Sequence, residues 1–128
     1  MKPKKIWCNL AVDDLDRTAR FYTQLGFKFN GRADDLVSFF FGADDLIIHF
    51  FKKSVLKPAM KGELADTHFA NEIIFTLAAE SRAEADSWAV EIEKAGGSLI
   101  SQPEIFGENY YGFVFADSDG HRFNVFYM

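Results

Sequence analysis

Cysteine is nearly absent from this chain. Cys8 stands alone among 128 residues, which excludes an internal disulfide and suits a reducing cytoplasm. An excess of positive charge is missing too. Lys and Arg number 14 against 19 Asp and Glu, a formal net charge of −5, so a nucleic-acid backbone, which needs clustered cations, is not expected as a partner. The apolar stretch from Leu36 to Phe51 is broken by Asp44-Asp45 and falls short of the roughly 20 residues that cross a bilayer. The opening Met1-Lys2-Pro3-Lys4-Lys5 is basic, but no apolar signal-peptide core follows it, and the expected location is cytoplasmic. The chain also has no Ser-His-Asp set, phosphate-binding glycine loop or cysteine pair.

What is present is a globular composition, 48% hydrophobic and 26% charged, in one domain's length of chain. The 15 Phe, 4 Tyr and 2 Trp exceed what a small core usually holds. Some of these rings are expected to line a cavity or a subunit interface.

Two halves share one order of elements. Ile6 to Val12 reads as a strand, and Asp13 or Asp14 can cap the helix that follows. Leu15, Ala19, Tyr22 and Leu25 fall on one helical face, and Gly26 ends the helix. Strands are predicted at Phe27 to Asn30, Leu36 to Phe41 and Leu46 to Phe51, with Gly42-Ala43-Asp44-Asp45 as a turn. The second half begins roughly 70 positions later with a strand over Asn71 to Ala79. Ser81-Arg82-Ala83-Glu84 is a capping box, and Ala85, Trp88, Ile92 and Ala95 form the buried stripe of a second helix. After Gly96-Gly97, strands are expected near Ser98 to Gln102, Tyr110 to Ala116 and Arg122 to Tyr127. Module one spans about 5–52 and module two about 70–128. The lysine-bearing connection over 53–69 reads either as a solvated linker or as a lid.

This β-α-β-β-β order, repeated, resembles the vicinal oxygen chelate superfamily, which includes glyoxalase I, the bleomycin-resistance proteins and the extradiol dioxygenases. The resemblance rests on Val12-Asp13-Asp14-Leu15-Asp16-Arg17, Phe21-Tyr22, Leu25-Gly26-Phe27 and Phe115-Ala116-Asp117-Ser118-Asp119-Gly120-His121. It implies an α+β fold in which two βαβββ modules form curved mixed sheets that close into a cup within a single domain.

The resemblance also implies four inward positions where family enzymes hold a divalent metal. Here they carry Trp7, His49, Ile74 and Asn124. Trp and Ile offer no donor, and an Asn amide is a poor ligand that brings no charge. No metal and no cofactor are therefore expected, although Glu72 with His49 could begin a displaced site. Alternation along the strands adds Asn9, Glu72 and Thr76 to the cup, and Phe51, Arg122 and Phe126 complete the expected ligand-binding set. His49 is the best catalytic candidate, a general base or hydrogen-bonding group against the plain alternative of a satisfied core histidine. Arg122 either grips a carboxylate or phosphate or simply reaches water. His121 and His68 are expected to be exposed, and Cys8, of opposite parity to Trp7 and Asn9, to be a small buried hydrophobe.

The function implied is capture of a small apolar or aromatic molecule by a homodimer of the glyoxalase/bleomycin-resistance type with a degraded metal site. The plainer alternative is that the aromatics simply fill the cup, and whether the chain is an enzyme stays open. The alternative is a metal-dependent lyase, isomerase or dioxygenase of the same superfamily.

Overall fold

A computed structural model describes residues 1–43 and 46–128. Asp44 and Asp45, half of the turn expected after Phe41, lie outside the described residues. The chain divides into two compact units, Met1–Leu64 and Ala65–Met128.

Unit 1 runs β1 (Trp7–Val12), α1 (Leu15–Gln24), β2 (Lys28–Arg32), β3 (Leu36–Phe41), β4 (Leu46–Lys52) and α2 (Lys53–Met60). Its sheet has the order β1-β4-β3-β2, with β1 and β4 parallel and the other pairs antiparallel. The Asp14 carboxylate starts α1 by accepting from the Arg17 N–H at 3.1 Å. Gly26, just past the end, takes φ +86, a left-handed conformation that a Cβ would strain. The buried face of α1 is Leu15, Thr18, Phe21 and Tyr22, so the apolar stripe lies one step round the helix from the predicted Ala19 and Leu25.

That rotation reflects aromatic packing. Tyr22 stacks on Phe50 at 4.6 Å between centroids and meets Phe21, Phe39 and Phe41 at 4.9, 5.7 and 5.6 Å. In the whole chain Phe21, Phe39, Phe41, Phe50, Phe113, Phe115 and Phe123 are buried, so much of the phenylalanine excess is core. Each such ring contributes roughly 1.5–3 kcal/mol of burial free energy.

Unit 2 runs β5 (Ile74–Ala78), α3 (Arg82–Ala95), β6 (Ser98–Leu99), β7 (Glu104–Phe106), β8 (Tyr110–Ala116) and β9 (Arg122–Tyr127). Its sheet has the order β5-β9-β8-β6, with β7 also paired to β8 and β5 parallel to β9. Phe115 stacks on Phe123 at 5.1 Å, and Ala85, Ala89 and Ile92 of α3 are buried. Trp88, expected in that stripe, is only half-buried.

The α+β class expected from the sequence is the observed one, but further local expectations are corrected. The connection over 53–69 contains α2, whose Leu56 is buried; Pro58 and the lysines hid the helix. Strand β5 starts at Ile74 rather than Asn71, because the Asn71 amide is held by the carbonyls of Thr67 and Gly120 at 2.8 and 3.1 Å. The predicted strand Ser98 to Gln102 is reduced to Ser98–Leu99, and β7 was not predicted. There the Ile100 and Ser101 N–H groups both turn to the Val114 carbonyl, which ends the regular ladder.

Candidate functional site

In unit 1 the ladder register sets one face of the sheet. Asn9 pairs with His49 and Ser38 also pairs with His49, so these three share a face with Trp7 and Phe51 two residues along their strands. The opposite face, with Val37, Phe39, Ile48 and Phe50, is fully buried. Cys8 has that opposite parity as expected. It is only half-buried, and burial pushes its thiol pKa up.

His49 sits at the centre of this face. Its Nδ1 lies 2.8 Å from the Ser38 hydroxyl, which also accepts a 3.0 Å hydrogen bond from the Asn30 amide. Asn30 reaches Ser38 because β2 slips register against β3 between Phe29 and Gly31, leaving Asn30 as the extra residue of a bulge. Edge-on rings flank the imidazole: Trp7 and Phe51 each have centroids 6.1 Å from it. Burial lowers the His49 pKa, so the neutral ring is favoured. Trp7 remains 52% exposed, so its indole is not consumed in packing. Ser38 and Asn30 were not among the residues expected from the sequence. The available signal was a lone hydroxyl within the apolar strand Leu36–Phe41.

The second expected group lies on one face of unit 2. Ile74 pairs with Arg122, Thr76 with Asn124, and Ala78 with Phe126. Ile74 is 49% exposed. Asn124 Oδ1 is buried with no hydrogen-bond partner among the described residues, an acceptor left for a bound donor or water. Among the described residues, Arg122 donates only a long 3.4 Å bond, to the Gly120 carbonyl. Phe126 lies against Tyr110 and Phe106, 5.0 and 6.0 Å between centroids, two rings the sequence reading did not select. Glu72, expected on the same face, precedes β5 and is exposed, so it is outside the ladder that sets the face.

The turn expected to expose His121 buries it instead. His121 is 3% exposed, with Nδ1 2.8 Å from Asp117 Oδ2. Asp117 Oδ1 also accepts from the Asp119 and His121 N–H groups at 3.0 and 2.9 Å. Gly120, at φ +87, packs so tightly that a Cβ would sit 2.5 Å from the Thr67 carbonyl oxygen. His68 is exposed.

The residues at the four family metal positions do not fit a metal. An indole and an alkyl side chain supply no lone pair, and one imidazole with one amide oxygen falls short of the three or more donors a catalytic ion takes. Among the described residues, no three His, Cys, Asp or Glu side chains gather as a possible metal site.

Two modules of the same kind, each with a mixed sheet whose first and last strands are parallel, define the class of the protein. The chain belongs to the Glyoxalase/Bleomycin resistance protein/Dioxygenase superfamily, whose family model matches residues 6–125. Among solved structures it is similar to a hypothetical protein from S. aureus, with 27% identity and a TM-score of 0.89, covering 100% of this chain and 96% of that one. A glyoxalase-related enzyme from Fulvimarina pelagi shares 16% identity at a TM-score of 0.86, covering 98% and 89%. A lactoylglutathione lyase from Agrobacterium tumefaciens shares 21% at 0.73, covering 98% and 95%. These last two likenesses are of fold. No curated protein matches the chain.

Proposed function

We propose that this chain is a small-molecule-binding protein of the glyoxalase/bleomycin-resistance type that works without a bound metal. The observation that carries the reading is the unit 1 face itself: a neutral, half-buried His49 between Trp7 and Phe51, with the indole half exposed. Apolar rings around a few convergent polar groups are the usual make-up of a small-molecule site. Asn9 adds a second polar group beside His49. The unit 2 face, with Ile74, Thr76, Arg122, Asn124 and Phe126, offers a similar mixture, including the unpartnered Asn124 oxygen. The favoured ligand is planar and largely apolar, since stacking on Trp7 rewards that shape.

The metal-dependent lyase, isomerase or dioxygenase reading lacks its donor set at these positions, and Glu72 is exposed ahead of β5. A homodimer cytoplasmic in location completes the proposal. Protein-observed NMR of chelator-treated protein against a library of aromatic fragments tests it. Hits should shift the Trp7 indole and His49 ring signals, and Trp7→Ala should weaken them about tenfold. A screen with no hit on either face would sink the reading.

A further inference from the structure

The hydroxyl of Ser38 has one proton to give, and among the described residues its two hydrogen-bond partners offer one acceptor for it. Ser38 is only 2% exposed, so its hydroxyl is withdrawn from bulk water. Among the described residues its hydroxyl has two hydrogen-bond partners: the Asn30 amide nitrogen at 3.0 Å, which donates to Oγ, and His49 Nδ1 at 2.8 Å. An amide nitrogen cannot accept. The hydroxyl proton therefore points to Nδ1, which must accept it through its lone pair. A neutral imidazole whose Nδ1 is an acceptor carries its proton on Nε2. His49 Nε2 has no hydrogen-bond partner among the described residues.

We infer that Ser38, oriented by Asn30, is a positioning residue that fixes His49 as the Nε2–H tautomer, so that this face binds ligands presenting a hydrogen-bond acceptor, such as a carbonyl or ether oxygen on a planar apolar body. The ligand class rests on the binding function proposed above; the tautomer does not. Trp7 and Phe51 on either side of the ring favour a flat ligand whose oxygen meets Nε2 at its edge. A neutral N–H donor also discriminates. A ligand whose only polar group at that point is a donor would meet another donor, and neither group could be paired. Asn30 completes the relay because its bulge position lets it approach Ser38 from β2 while β4 supplies the histidine from the other side.

Imidazole-nitrogen NMR of histidine-labelled protein in its ligand-free form reads the tautomer directly. Wild-type His49 should show an accepting Nδ1 and a protonated Nε2. Ser38→Ala should turn that single form into a mixture, and Ser38→Thr, which keeps the hydroxyl, should restore it. Asn30→Asp places an acceptor where the amide donated. It should turn the hydroxyl around and move the ring proton to Nδ1. A wild-type spectrum with the proton on Nδ1 overturns the inference, whether or not any variant folds. So does a folded Ser38→Ala protein with an unchanged tautomer. In the fragment screen, ketones and lactams should shift the His49 Nε2 signal, and hits on this face that carry donors alone would overturn the acceptor class. A screen with no hits would defeat the binding function and the acceptor class with it, leaving the tautomer result to stand or fall alone.

Discussion

At His49, burial holds the imidazole pKa below its ordinary value, and that has a consequence for stability. The unfolded chain takes up the proton more readily than the folded one, so this residue's contribution is complete above the ordinary histidine range. It is lost as the pH falls from there through the lowered folded value. His49→Gln keeps a neutral polar side chain and should flatten this part of the curve, which Tm measured in steps below neutrality will show. A slope unchanged by the substitution would mean that the ring is protonated as easily folded as unfolded. Trp7, His49, Ile74 and Asn124 were selected through the family resemblance. Ser38 and Asn30 were not, because their bond depends on a register slip between strands that local sequence does not encode. His121 was misjudged for a related reason. Its turn motif is plain in the sequence, but the packing around it is not: the distant Thr67–Asn71 segment lies against Gly120 and bonds the Asp119 and Gly120 carbonyls.

At the level of elements, the caps were the clearest signals. The Ser81 hydroxyl accepts from the Glu84 N–H at 3.0 Å as the capping box requires, but the Glu84 carboxylate reaches the Glu80 N–H at 2.7 Å rather than that of Ser81. Ser81→Ala should cost about 1 kcal/mol, measurable by denaturant unfolding, and a loss within error would show that the Glu84 contact holds the α3 start alone. The strands Leu36–Phe41, Tyr110–Ala116 and Arg122–Tyr127 were legible to the residue, since apolar runs there meet turn residues at both ends. Helix α2 was not. Its single buried side chain, Leu56, makes no periodic stripe, and its charged residues are used in surface pairs, Lys53 with Asp13 at 2.9 Å and Lys57 with Glu63 at 3.0 Å. Such pairs are settled by tertiary neighbours rather than by spacing.

Over the whole molecule, membership of the superfamily was readable because its motifs occur in order along nearly the full chain, and the family model matches residues 6–125. No helix among the described residues is long and apolar enough to cross a membrane. The proposed homodimer draws support from apolar side chains left exposed, among them Ile105 at 59% and Ile100 at 52%. Light scattering at micromolar concentration should give twice the mass of one 14.6 kDa chain, and a monomer mass would remove that part of the proposal. Metal-free binding is the central claim, and one calorimetric comparison tests it most directly. The tightest-binding fragment is titrated into protein held in chelator and into protein saturated with zinc, nickel or manganese. The account predicts the same affinity in every titration, within about twofold, or 0.4 kcal/mol. Binding that appears only with metal, or tightens about tenfold or more with it, would contradict the account.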